Sequence, residues 1–160
     1  MQPTPALQEY ATRFDEPVRS LLRSKGRVIW SIGPEETVYQ AIELMSEKQV
    51  GCLAVLVGGQ LAGIVSERDY ARKVILKGRS SQQTRVREIM TSPALFVTPE
   101  KTVAEAMRIM TGRRVRHLPV LERDNVVGML SIGDLVNWVV DSQQQTIKHL
   151  HNYIAGNYPA

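Results

Sequence analysis

A chain of 160 residues and 18.0 kDa fits one compact domain, and 43% apolar residues are enough to give it a core. No apolar run approaches the roughly 20 residues that span a bilayer, and the start Met1-Gln2-Pro3-Thr4-Pro5 lacks a basic patch followed by an apolar signal core. The expectation is therefore a soluble, cytoplasmic protein. A net charge of +4 with a pI near 9.4 suits a site for a small anion or a plain basic surface, whereas dispersed basic residues without interleaved aromatics argue against nucleic acid.

In chain order, residues 6–24 read as helical, with Leu7, Tyr10, Phe14, Val18, Leu21 and Leu22 near helical spacing and Pro17 interrupting or restarting the helix. Arg27 to Ile32 reads as a short strand ended by Pro34. Thr37 then caps a helix in which Val38, Ala41, Ile42 and Met45 fall on one buried face. Two apolar runs follow, Cys52 to Val57 and Leu61 to Val65, joined by Gly58-Gly59 as strand, tight turn, strand. Cys52 is the only cysteine, which excludes an internal disulfide, and at the head of an apolar run it reads as a small buried hydrophobe rather than a nucleophile. A second helix starts near Ser66, and the polar stretch Lys77 to Thr84 reads as a connector.

The same order then returns 65 positions later without a gap: Pro34-Glu35-Glu36-Thr37-Val38 as Pro99-Glu100-Lys101-Thr102-Val103, and Asp69 as Asp134. Thr102 caps a helix carrying Val103, Ala106, Met107 and Met110. His117 to Leu121 and Val126 to Leu130 form the strand pair, joined by Asp124-Asn125, and a helix starts near Ser131. Met90, Met107, Met110 and Met129 read as core filling. Each unit is thus β-α-β-β-α, and the fold class is mixed α/β (α+β): two tandem repeats related by a pseudo-twofold axis, with two related clefts where the copies meet. Residues 1–25 form an N-terminal helical segment, 26–78 repeat 1, 79–92 a linker and 93–141 repeat 2. Residues 142–160 form a helical tail with Ile147, Leu150 and Ile154 on one face.

The most informative motif is Gly-x-x-Ser-x-x-Asp, at Gly63, Ser66 and Asp69 and again at Gly128, Ser131 and Asp134. A serine where a strand gives way to a helix places its hydroxyl beside unpaired helix N–H groups, a setting for a phosphate or ribose oxygen. A carboxylate one turn on can accept from both hydroxyls of a ribose. The same spacing also describes a helix cap that needs no ligand, and both readings stand. Arg116-His117-Leu118-Pro119-Val120 opens the strand pair of repeat 2, where a guanidinium can grip phosphate and an imidazole can donate a hydrogen bond. Repeat 1 has Gly51-Cys52 there.

Phosphate-loop, dinucleotide-loop, metalloprotease and nucleophile-elbow motifs are missing, and His117, His149 and His151 lack the spacing of a metal site. Neither a metal nor a catalytic cofactor is expected.

The repeated unit, the Gly-x-x-Ser-x-x-Asp ending and the Arg-His-Leu-Pro-Val strand resemble a tandem pair of cystathionine β-synthase (CBS) domains, a Bateman module, over roughly residues 26–140. Residues 63–72 and 113–135 are similar to small stand-alone bacterial members often named for signal transduction. The resemblance implies a flat disc with two clefts for AMP, ADP, ATP or NAD, and two discs paired as a homodimer. It implies that Asp134, Ser131 and Gly133 face the first strand of repeat 1, with Lys25, Val28 and Trp30 near the base and Val50 and Gly51 beside it. Asp69, Ser66 and Arg68 would face Met90, Thr91, Pro93 and Leu95, with Val115 alongside. Arg116 and His117 would point to the middle, toward the phosphates. The copies differ there, so equal affinity at the two sites is not expected.

The functional expectation is a non-enzymatic module that senses an adenine nucleotide and signals its state to a partner protein. The competing reading is a protein-interaction adaptor or dimerisation module whose clefts are vestigial.

Overall fold

The computed structural model describes residues 13–154. The chain divides into two compact units that interleave along the sequence: Arg27–Val97 with Pro119–Met129, and Met1–Gly26 with Thr98–Leu118 and Leu130–Ala160.

The first of these units holds the sheet. Strand β1 (Ser31–Ile32) pairs parallel with β2 (Cys52–Val57), which pairs antiparallel with β3 (Gln60–Ser66). The full order is β1-β2-β3-β5-β4, where β4 spans His117–Glu122 and β5 Asn125–Ser131. The two hairpins meet where Gln60 faces Asn125, the same position of the repeat. Helix α2 (Val38–Lys48) starts at Thr37, whose Oγ1 accepts the Gln40 N–H while Gln40 Oε1 accepts the Thr37 N–H, so two otherwise orphaned donors are satisfied. Its apolar face, Val38, Ala41 and Met45, packs with Leu53, Val55, Val65 and Ile89 in a core from which water is excluded. Each such Leu or Ile contributes on the order of 2 kcal/mol. Helix α3 (Glu67–Lys73), a 3-10 turn (Ile75–Lys77) and the short α4 (Val86–Ile89) complete the unit.

The second unit is mainly helical and also holds the first two residues of β4 and the last two of β5. Helix α1 (Val18–Lys25) has Pro17 as its N-cap, so proline restarts the helix after residues 13–15, also helical; residues 6–12 lie outside the described residues. Helix α5 (Val103–Arg113) repeats the α2 cap with Thr102 and Glu105 and packs against both α1 and the long α6 (Ile132–Ile154).

Four expectations need correction. The strand expected over Arg27–Ile32 is only Ser31–Ile32, because Gly26 sits at φ +92° and the Trp30 carbonyl is the first to reach β2, at the Ala54 N–H. Its counterpart in repeat 2 shrinks to one parallel bridge, Val97 to Val120. The second hairpin turns at Arg123 and Asp124, both at positive φ (50° and 65°), one residue before the expected pair; they stand where repeat 1 has Gly58 and Gly59 (57° and 80°). The tail is not a separate helix: α6 runs unbroken past Ser142, whose hydroxyl is buried and donates back to the Val139 carbonyl. The side chains of Leu150 and Ile154 lie outside the described residues.

Candidate functional site

Both Gly-x-x-Ser-x-x-Asp motifs end a strand and open a helix. At the start of α3, Asp69 Oδ2 accepts the Ser66 N–H and the Ser66 hydroxyl, both at 3.0 Å, and Ser66 Oγ accepts the Asp69 N–H at 3.2 Å. At the start of α6, Asp134 Oδ2 accepts the Ser131 N–H at 2.7 Å, and Ser131 Oγ accepts the Asp134 N–H at 3.1 Å. The capping reading therefore holds in both copies. It also fixes each carboxylate, since one oxygen is committed to the backbone and the side chain is 13% exposed at Asp69 and 18% at Asp134. The first N–H of each helix is held by the carbonyl just before the preceding hairpin: Glu67 donates to Gly51, and Ile132 to Arg116. Gly51 and Arg116 are thereby fixed at the two helix starts.

Each carboxylate carries a lysine from a different source. Asp69 Oδ1 is 3.0 Å from Lys73 Nζ, four residues on along α3, and the same ammonium donates to the Ile89 carbonyl at 2.8 Å. Asp134 Oδ2 is 2.5 Å from Nζ of Lys25, the last residue of α1. Lys73 is a site residue that sequence reasoning missed, although its Asp69-x-x-x-Lys73 spacing was a readable signal.

Beside α3 the linker is clamped to β3. Thr91 and Ile64 exchange backbone hydrogen bonds at 2.8 and 3.1 Å, and Ser92 Oγ donates to the Ala62 carbonyl at 2.7 Å. Gly63 makes this approach possible: a Cβ there would lie 2.6 Å from the Thr91 carbonyl oxygen and 3.2 Å from Met90 Sδ. The first glycine of the motif is thus a contact requirement. The structure accordingly brings Gly51, Ser66, Arg68, Asp69, Met90 and Thr91 into one unit around α3, with exposed Pro93 and Leu95 following on the linker. Val28, Trp30 and Val50 belong to this unit as well. Val28 is 65% exposed and Trp30 38%; both precede β1 rather than lying in it, and Lys48 Nζ sits 4.6 Å from the centre of the Trp30 ring. Lys25, Val115, Arg116, His117, Ser131, Gly133 and Asp134 belong to the other unit. Arg116 is exposed and His117, the first residue of β4, half-buried.

Cys52 is buried, and its thiol is pushed up to about 12, first by burial and then by the negative charge of Asp69. It stays protonated at neutral pH and has no thiolate for nucleophilic attack. Among the described residues no group of His, Cys, Asp and Glu could hold a metal, and no helix is long and apolar enough to cross a membrane.

A family model for the CBS domain matches residues 18–75 and 86–141. The mitochondrial CBS domain-containing protein CBSX3 of Arabidopsis thaliana is 40% identical over 164 residues, covering 96% of this chain and 79% of that protein. The structure of a protein with CBS domains from Burkholderia ambifaria, named for signal transduction, is 48% identical with a TM-score of 0.76, covering 79% of this chain and 96% of that one. A hexameric CBS-CP12 protein from bloom-forming cyanobacteria is 29% identical with a TM-score of 0.69, covering 76% of this chain and 70% of that one. Two matched segments, each ending in the strand, capped serine and helix described above, make this chain a tandem CBS-domain protein.

Proposed function

We propose that the chain is a regulatory module that binds an adenine nucleotide (AMP, ADP, ATP or NAD) by its ribose at the Ser66–Asp69 and Ser131–Asp134 helix starts, and passes the bound state to a partner protein. The observation that carries this reading is the pair of partly buried carboxylates, each fixed through one oxygen to its own serine N–H. A carboxylate so held meets a ribose diol without first being ordered, which lowers the entropic cost of binding. At Asp134, Oδ1 accepts no hydrogen bond among the described residues; at Asp69 a diol competes with Lys73 for Oδ1. The first and third N–H groups of each helix are already held by protein acceptors, so the adjoining Arg116 is the group that suits a phosphate. This role is binding without turnover. Signalling requires the two shapes of the module to differ in nucleotide affinity.

Thermal unfolding with each of the four nucleotides tests the proposal. At about a hundred times its dissociation constant a ligand adds roughly 2.7 kcal/mol, a shift of several degrees for a chain of this size. 2′-Deoxy-AMP should stabilise less than AMP, because it lacks one diol hydroxyl. A transition that no adenine nucleotide moves would leave the adaptor reading in its place. Self-association belongs to the same proposal, supported by the hexameric cyanobacterial relative, and light scattering checks it.

A further inference from the structure

Helix α1 and the long α6 frame a second groove. Helices α1 and α6 run side by side in opposite directions: Lys25 at the end of α1 meets Asp134 at the start of α6, while Arg13, before α1, donates to Gln145 Oε1 at 2.9 Å. Between them lies a groove of about 920 Å³. One part of it is cross-braced. The Arg13 guanidinium lies 4.8 Å from the centre of the Trp138 ring, and Trp138 Nε1 donates to the Arg13 carbonyl at 3.1 Å. Repeat 1 cannot build this groove, since Lys73 stands where repeat 2 has Trp138 and α3 stops at Lys73 while α6 continues to Ile154.

The chemistry of the walls defines the occupant. Arg23 on α1 and Lys148 on α6 are exposed and form no ion pair among the described residues. With Arg13 they outnumber the two lining carboxylates, Glu16 and Asp141. Ser20, Ser24, Gln144 and Asn152 offer both donors and acceptors, as a peptide main chain requires, and Ile147, 64% exposed, offers an apolar foothold. A small anion needs a compact cage, whereas this groove is open and at the upper end of ligand-pocket size. We propose that the α1–α6 groove docks an acidic segment of a partner protein, giving the module a surface for its output that does not depend on the nucleotide reading.

The test is fluorescence anisotropy of a short labelled peptide of alternating Glu and Leu, with a Lys-and-Leu peptide as its counterpart. The acidic peptide should bind saturably and the basic one should not, and saturating AMP should leave the binding unchanged. Arg23→Glu with Lys148→Glu should weaken it roughly tenfold, by turning two attractions into repulsions. Both positions are exposed; should the double variant melt early, Arg23→Gln and Lys148→Gln singly keep the test decisive, each weakening binding by a smaller factor. Equal binding of the two peptides, no binding, or variants that bind as tightly as the parent would overturn the proposal. So would displacement by AMP, which would assign these cations to the nucleotide.

Discussion

The start of α3 and the start of α6 are one device built twice with different charges around it. In both, a serine and an aspartate exchange hydrogen bonds, and the first helix N–H is held by the carbonyl ahead of the preceding hairpin. The cations differ. Asp69 takes its lysine from its own helix, where Asp134 has Trp138 at the matching position and takes Lys25 from α1 instead. Gly51 at one start is Arg116 at the other. The backbone device is constrained, because an N–H taken out of water must keep a partner. A cation neutralises a carboxylate from any direction, so the copies are free to diverge there and hence in ligand preference.

Backbone need and charge are separable by mutation. Gly63→Val should cost about 3 kcal/mol or more in urea unfolding, because its Cβ meets a backbone oxygen that cannot move without releasing the linker. Gly133→Val should cost under about 1 kcal/mol, since a Cβ there meets only Ser131 Oγ at an ordinary 3.6 Å. Equal costs at the two positions would remove the close-approach argument.

The next effect lies in phosphate affinity. Arg116→Ala should weaken AMP by about 1.5–3 kcal/mol, the usual worth of a charged hydrogen bond, yet leave adenosine nearly unchanged. Calorimetry with both ligands checks this, and an equal loss for both would make Arg116 a support of the helix start rather than a reader of phosphate.

Smaller still is the difference between the lysines. Lys73→Met should destabilise by about 1 kcal/mol, because the Ile89 carbonyl loses its donor along with the ion pair, and Lys25→Met by about half of that. Chemical denaturation of the two variants side by side would reverse the assignment if Lys25 proved the costlier.

The smallest effect distinguishes the caps of α2 and α5. Glu105 is held below the usual carboxylate range, chiefly by the Thr102 N–H, while its counterpart Gln40 does not titrate. A carboxyl depressed in the folded state contributes stability that is present above its unfolded value and lost as pH falls through the folded one. Amide exchange at the start of α5 should therefore quicken as pH drops below about 4, relative to the start of α2 and after the intrinsic pH dependence is removed. Glu105→Gln should abolish the difference.

Much of the fold was legible because the signals were local. Thr37, Thr102, Ser66 and Ser131 cap helices with a partner three residues on, and alternation with a two-residue turn defines the Cys52–Ser66 hairpin. What stayed hidden depends on partners far along the chain. The strand before β2 shortens because only the Trp30 carbonyl and the two residues after it reach β2, and α6 absorbs the tail because nothing at Ser142 breaks it. At the site the motif named the carboxylates but not Lys25 as the ion-pair partner of Asp134, since 109 residues separate them. The α1–α6 groove was invisible for the same reason: Arg13 and Trp138 are remote in sequence and outside the pattern shared by the repeats.

Whether the two capped carboxylates receive ribose is decided by calorimetry of AMP with parent, Asp69→Asn, Asp134→Asn and the double variant. Asparagine keeps a helix-capping oxygen, so the fold is spared while the charge that accepts from the diol is removed. Each single variant should lose about tenfold in affinity at one site, the low end for a hydrogen bond to a charged group, and the double variant should lose about tenfold at both. A double variant that binds AMP as the parent does would mean that neither carboxylate receives ribose.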